Sequence, residues 1–398
     1  LSLHDALPIS ENGLGLNLYV DGRFGSFSTN RLDKKELETL ITNGIESTRY
    51  LAVDESRMLA DPARYYKGGK PDLQLFDKKL YEVNPDDKVA IARAAAEEVL
   101  GKDERIISVD SSYSDGEGSS YRLISNGFEG ESKSTWFSVS ASVSIKGEGE
   151  ARPQDYWYDS ALFYDKLTKT GIGAKALERV LRKLGQKKAK SGKYTMVVDP
   201  MNVGNLLSPM LSALYGSALQ QKNSFLMDKL DTKVASDLFT LRDEPHAIGA
   251  NGSRYFDNEG VATEPRTVFD KGVLKTYFID TYNGKKMDIA PTISTPSRLI
   301  LTPGDKDLNG LVADIKQGIL VTGFNGGNSN SSTGDFSYGI EGFLIEDGKL
   351  TQPVNEMNVT GNMVTLWNSL VAVGNDPQPN RSWQIPSLVF EGVDFSGL

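Results

Sequence analysis

Nucleophilic and metal-assisted chemistry draws on cysteine, histidine and clustered carboxylates, and this chain is poor in the first two. It has no cysteine and two histidines, His4 and His246. Thiolate nucleophiles, disulfides and Cys-ligated metals are therefore excluded. His246 lies in Asp243-Glu244-Pro245-His246. Its flanking carboxylates suit a general base, a weak metal ligand or, more simply, a turn histidine held by its neighbours. The turn reading is preferred because of the proline and the missing nucleophile partner. Ser253 or Ser332 would complete a Ser/His/Asp set on paper. Neither lies in anything like a nucleophile elbow. Asp257, Glu259, Asp270 and Asp280 fall in hairpin turns, which favours capping over paired acid–base work, with Arg254, Arg266 and Lys275 available as counter-charges.

The Gly-rich stretch Gly323 to Gly334, GFNGGNSNSSTG, lacks the lysine and the spacing of a phosphate loop. Two readings stand. One is a flexible loop between strands. The other is a peptide-binding edge, in which Gly326, Gly327 and Gly334 let another backbone approach while Asn325, Asn328, Ser332 and Thr333 offer hydrogen bonds to an extended peptide.

Elements must hold these residues, and 398 residues suffice for two or three domains. A net charge of −9 and a pI near 5.1 disfavour sequence-independent binding to nucleic acid. The densest basic run, Arg179 to Lys193, reads as a solvated helix end and linker. No apolar run has the roughly 18 to 20 residues of a membrane span, and a soluble, cytoplasmic protein is expected.

Along the chain, alternation around Asp21-Gly22 predicts a hairpin over 14–28, and Asp33 caps a helix from Lys34 to about Asn43 with Gly44 as its stop. Ser47 to Gln74 reads as a connecting loop. Asn84-Pro85 opens a helix whose inward stripe is Val89, Ala92, Ala96, Val99 and Leu100. Period-two patterning over 106–150 predicts a four-strand meander with turns at Asp115-Gly116 and Asn126-Gly127. A helix over 162–184, a charged linker over 186–193 and a short buried strand over 194–198 follow. Val203 to Gln221 is apolar over much of its surface and reads as a central helix, with Ser208-Pro209 able to restart it. Strands, Gly-rich loops and one late helix, Asn362 to Leu370, complete the chain, with tight turns at Asp270-Lys271-Gly272 and Glu346-Asp347-Gly348.

Three segments carry a family resemblance: FDNEGVATEPRTVFDKGVLKTYFIDTYNGKKM, TGDFSYGIEGFLIEDGKL and VTGNMVTLWNSLVAVGND. They resemble the C-terminal half of the TldD/PmbA family, the two-subunit TldD/TldE metalloproteases; Asp335 and Phe336 open the second segment. The resemblance implies that metal-binding members carry His-Glu-x-x-x-His on the helix over 203–221. Here Ser208 and Ala213 stand at the histidine positions and Pro209 at the glutamate position. The family's further thiolate ligand has no counterpart in a chain without cysteine. This pattern resembles the metal-free TldE (PmbA) subunit more than TldD. It implies no catalytic residue and no metal in this chain, zinc in a TldD-like partner, and a peptide or unfolded polypeptide as substrate.

A regulatory, protein-binding role of the gyrase-modulator type is the alternative, and a stand-alone non-metal hydrolase a third. The expected fold class is α+β: an N-terminal antiparallel sheet with helices, then a β-rich C-terminal domain around a central apolar helix. LSLHDALPIS, residues 1–10, resembles a translated sequencing adapter and is set apart. Residues 11–83 form a first region, expected to lack the family's first helix and strand; 84–190 form a middle α+β region and 191–398 the C-terminal domain.

Overall fold

The computed structural model describes residues 10–398, so the expectation for the leader, His4 included, falls outside the described residues except at Ser10. Strands β1 (Leu14–Val20) and β2 (Arg23–Thr29) form the expected hairpin. Asp21 and Gly22 both take positive φ, 49° and 71°, as a turn matched to strand twist requires. Helix α1 (Lys34–Arg49) is capped by Asp33, whose carboxylate accepts from Glu36 N–H at 3.1 Å. It does not stop at Gly44 but runs through it. A Cβ at Gly44 would lie 3.0 Å from Leu18 and 3.3 Å from Phe27, so the glycine is there to let the helix sit on the hairpin. Packing outweighs the roughly 1 kcal/mol that glycine costs inside a helix.

The middle region starts with α2 (Pro85–Glu97), capped by Asn84 as expected. Ala95, Ala96 and Val99 face inward, whereas Leu100 is 47% exposed and leaves the expected stripe. The meander has three strands and not four: β3 (Ile106–Ile124), β4 (Phe128–Ile145) and β5 (Gln154–Ala161). Asp115-Gly116 is no turn; both residues pair within the β3–β4 ladder, where Asp115 binds Lys88 Nζ at 2.7 Å and Gly116 lies beneath the Trp136 ring. Alternate β4 residues Phe137, Val139, Ala141, Val143 and Ile145 are buried, forming one core with Ile172, Ala176 and Val180 of α3 (Ile172–Leu181). Helix α3 begins ten residues later than the expected 162, after a single 3-10 turn at Tyr164–Lys166 and a left-handed Gly171 (φ 78°).

The C-terminal part opens with β6 (Gly192–Val198), α4 (Gly204–Ser212) and α5 (Gly216–Gln220). The single helix expected over 203–221 is divided because Gly216 N–H donates to Phe278 O at 2.8 Å and Phe278 N–H donates to Leu214 O at 2.9 Å. A distant strand-like segment thus captures the backbone between the two helices. The position of α4 is central: Leu206, Leu207, Met210 and Leu211 are at most 1% exposed.

Strands β7 (Leu241–Asp243), β8 (Arg266–Asp270) and β9 (Val273–Leu274) come next, then α6 (Thr281–Met287), β10 (Leu299–Leu301) and α7 (Leu308–Ala313). Helices α6 and α7 were not expected; each is short and is marked mainly by its capping aspartate, Asp280 or Asp307. They are followed by β11 (Gln317–Ser329), β12 (Asp335–Glu346), β13 (Lys349–Asn362), α8 (Met363–Asn368), β14 (Leu370–Val373), β15 (Trp383–Gln384) and β16 (Leu388–Ser396). The turns at Lys271-Gly272 and Asp347-Gly348 take positive φ at both residues, as expected.

The main sheet has the order β13-β12-β11-β6-β16-β14, and β13 also pairs with β16, which closes five strands on themselves. Only β6 and β11 run parallel within it, Gly318 opposite Thr195 through Val321 opposite Val198. Alternation decides what each face meets. Met196, Val198, Ile319 and Val321 join α4 in the large core, while Val197 and Leu320 join Leu311 and Val312 of α7 on the other face. The chain is an α+β protein with antiparallel sheet and helices first and a β-rich part around a central apolar helix after it.

Candidate functional site

Helix α4 presents the positions where the resemblance implies a metal motif. Ser208 is exposed, Pro209 half-buried within the helix, and Ala213 fully buried at its C-terminal end. Zinc needs imidazole, thiolate or carboxylate donors. A hydroxyl, a pyrrolidine ring and a methyl group pointing to different environments supply none. Among the described residues, no group of three or more His, Cys, Asp or Glu is placed to hold a metal ion. The donor set of this chain does not fit zinc at α4.

Beside α4 lies the far end of β11. Its pairing with β6 ends at Val321–Val198, after which Asp199 N–H donates to Val321 O (3.1 Å) and Asn202 Nδ2 to Thr322 O (2.8 Å). From Gly323 to Ser329, β11 is paired on one side only, with β12. An edge of this kind is a template for an added strand. Asn325, Gly326, Gly327 and Asn328 are exposed along it, and bulges on either side of Phe324 bend it. The Gly-rich stretch is thus mostly strand, and only 330–334 is a loop.

That loop is tied down. The Ser331 and Ser332 hydroxyls donate to Asn223 Oδ1, and Gly334 N–H donates to Asn330 O at 2.8 Å while Gly334 O accepts from Met363 N–H at 2.8 Å. The Thr333 hydroxyl donates to Asp335 Oδ2 at 2.7 Å, and Asn362 Nδ2 donates to Asp335 Oδ1 at 3.0 Å and to Thr333 O at 2.8 Å. These bonds, Asn362 first, hold the Asp335 carboxyl below its usual range. Phe336 is buried and stacks on Tyr338 at 5.4 Å. So Ser332, Thr333, Gly334, Asp335 and Phe336 already have partners within the chain, and the groups left for a ligand are upstream, at Gly326 to Asn328 and the Asn325 backbone, the Asn325 amide itself donating to Asn355 Oδ1 at 3.3 Å.

His246 is a turn residue in the structure too. Its Nε2 lies 3.1 Å from the Thr263 hydroxyl and its ring 5.0 Å from that of Tyr255. Burial, with Lys70 adding, pushes its pKa below the ordinary value. Ser253 Oγ donates to Ala247 O at 2.7 Å, and Asp243 accepts from the Ser297 and Arg298 N–H groups at 3.0 and 2.8 Å. These three do not form a relay. Asp257 accepts from Glu259 and Val261 N–H and from Ser294, Asp280 caps α6, and Glu259 accepts from Thr281. The counter-charges differ from expectation: Lys275 pairs with Asp231 at 2.8 Å, and Arg254 donates to Ser297, Thr295 and the Pro296 carbonyl.

Most of the basic run from the end of α3 onward is solvated as expected, with Arg182, Lys187, Lys188, Lys190 and Lys193 exposed, but two of its cations are not. Arg179 and Lys183 side chains are only 12% and 10% exposed. Lys183 Nζ reaches Glu341 on β12 at 2.7 Å, Asp155 on β5 at 3.2 Å and Gln154 O at 3.0 Å; Arg179 Nε reaches Asp155 at 3.2 Å. The one signal available was the four-residue spacing, which puts both cations on one helix face.

Comparison with known proteins places these features. The family model of the PmbA/TldA metallopeptidase C-terminal domain matches residues 191–397, and that of the central domain residues 78–184. A Haemophilus influenzae protein described as a metalloprotease PmbA homologue is 28% identical over 399 residues, covering 98% of this chain and 86% of that protein. The crystal structure of a candidate modulator of DNA gyrase from Bacteroides thetaiotaomicron is 73% identical with a TM-score of 0.97, covering 98% of this chain and 89% of that one. TldE from Thermococcus kodakarensis shares the fold, with a TM-score of 0.78 at 22% identity over 95% of this chain and 88% of that one.

Proposed function

This chain belongs to the PmbA/TldA metallopeptidase family, and from that premise we propose that it is the metal-free, TldE-like subunit of a heteromeric zinc metalloprotease. A TldD-like paralogue holds the zinc and performs hydrolysis on short or unfolded polypeptides in the cytoplasm. This chain supplies subunit interface and part of the peptide chamber. The observation that carries the reading is α4 itself: Ser208, Pro209 and Ala213 stand where ligands and base are needed, on a helix otherwise built as core. The β11 edge at Asn325 to Asn328 is the place where an extended peptide would pair with this chain. No described helix is long and apolar enough to cross a membrane.

The test is cleavage of an unfolded polypeptide by this chain, by the metal-bearing paralogue, and by the two mixed. Hydrolysis confined to the mixture and abolished by a chelator is expected. Chelator-resistant hydrolysis by this chain alone would overturn the reading and return attention to His246 and the neighbouring serines. The description of the Bacteroides relative supports a second reading, a regulator that binds gyrase. An acidic chain is a poor ligand for DNA and a reasonable one for a protein. Retention on immobilised gyrase without binding to the metal-bearing paralogue would favour it.

A further inference from the structure

A cavity of about 260 Å³ between the middle and C-terminal parts takes no role in the reading above. Its polar side holds Arg179 and Arg182, at the end of α3, Asp199, just after β6, and the mutually paired Lys183 and Asp155; its apolar side holds Val312 of α7, Leu320 of β11 and Phe343 of β12. The polar wall is incompletely paired. Arg179 Nη1 and Asp199 Oδ2 face each other across 3.9 Å, beyond hydrogen-bond reach, with both side chains 12% exposed. Neither atom has another hydrogen-bond partner among the described residues: Arg179 donates through Nε, and Asp199 accepts through Oδ1 from Met201 N–H at 2.7 Å. Both atoms still open onto the water of the cavity, so a ligand that reaches them exchanges hydration for charge-assisted hydrogen bonds. Arg182 lies over the Phe343 ring, 4.6 Å from its centroid, and comes no closer than 3.9 Å to Glu178, so its donors are free as well.

The cavity therefore offers guanidinium donors for a carboxylate, a carboxylate for an ammonium, and an apolar wall for a side chain. An inorganic anion would leave the apolar wall unused and would be repelled by Asp199. At about 30 Å³ per water the space holds roughly nine water-sized groups, about the size of leucine counted in non-hydrogen atoms. We propose that this cavity binds a free apolar α-amino acid, its carboxylate on Arg179 and Arg182, its ammonium on Asp199 and its side chain against Val312, Leu320 and Phe343. The cavity reaches Thr322, just before the β11 edge, but shares no residue with α4 or with Asn325 to Asn328, and it does not depend on the subunit reading.

Titration calorimetry of the full chain tests this with leucine, glycine, leucinamide, N-acetyl-leucine and inorganic phosphate. Leucine is expected to bind. Glycine, leucinamide and N-acetyl-leucine each lack one recognised group, phosphate lacks the ammonium and the side chain, and all four should bind at least about tenfold more weakly. Arg182→Gln, at a half-exposed residue, should weaken leucine by a similar factor, and Asp199→Asn should remove the preference for leucine over N-acetyl-leucine. The proposal is overturned by the absence of binding at millimolar leucine, by leucinamide or phosphate binding as tightly as leucine, or by wild-type affinity in a folded Arg182→Gln chain. N-acetyl-leucine matching leucine on the unmodified chain would equally overturn it, pointing to a peptide C-terminus as the ligand. Should Asp199→Asn fail to fold, the Arg182→Gln result and the probe series decide.

Discussion

Replacing Lys183 by methionine tests whether the charges between α3, β5 and β12 form a structural joint. The change keeps the length and packing of the stem and removes only the ammonium. In the folded chain that ammonium serves Glu341 at 2.7 Å, Asp155 at 3.2 Å and the Gln154 carbonyl at 3.0 Å, from a side chain 10% exposed. Removing one partner of a buried ion pair costs about 3–5 kcal/mol, because the remaining charge stays desolvated. Two features reduce that here. Asp155 keeps Arg179 at 3.2 Å, and Glu341 is 16% exposed and so partly hydrated. A loss of about 2–4 kcal/mol is the expectation, most of it from Glu341. Urea unfolding at neutral pH measures it, with Trp157 reporting on the middle region and Trp367 on the C-terminal core. Because Asp155 and Glu341 belong to different parts of the fold, the two reporters should also separate further in the variant. Lys193→Met serves as the control, since its bond to Asp394 joins side chains 66% and 60% exposed and should contribute less than about 1 kcal/mol. A Lys183→Met chain no less stable than that control would refute the reasoning.

Other consequences are open to measurement. Leu207→Ala removes a side chain with 0% exposure from α4 and should cost about 2–5 kcal/mol in urea unfolding, whereas Ser208→Ala on the exposed face should change little. His246 has a folded pKa below its ordinary 6.5, so the unfolded chain binds the proton more readily; the histidine's contribution to stability is complete above 6.5 and lost as pH falls through the folded value. His246→Asn should flatten the pH dependence of stability just below 6.5, and an unchanged slope there would contradict the burial argument. Elemental analysis of the purified chain should find no stoichiometric zinc, and one tightly held equivalent would contradict the donor argument at α4.

Much of the fold was legible where neighbouring residues decide the conformation. Asp21-Gly22, Lys271-Gly272 and Asp347-Gly348 are turns because their residues tolerate positive φ, and Asp33 and Asn84 cap helices because a short oxygen-bearing side chain reaches the first free N–H groups. The period of two in β4 follows from strand geometry alone, and the lack of metal donors at 208, 209 and 213 is a matter of composition. The β11 edge was only half legible. Its glycines and asparagines were visible, but the Asn223 and Asn362 side chains that occupy the loop beyond it were not.

What the tertiary structure decided is the meaning of residues that permit more than one role. A glycine permits both a helix stop and a close approach, and the β1–β2 hairpin lying on α1 selects the second at Gly44. Asp-Gly permits a turn, yet Asp115-Gly116 stays in a ladder because the β4 strand runs alongside it. The apolar stretch 203–221 permits one helix, and Phe278 divides it by capturing its backbone. Lys183 permits a solvated face, and Glu341, 158 residues away, brings it inside. Turn, cap and period depend on torsions and contacts within a few residues, so the sequence determines them alone. Burial and pairing depend on partners that only folding brings together.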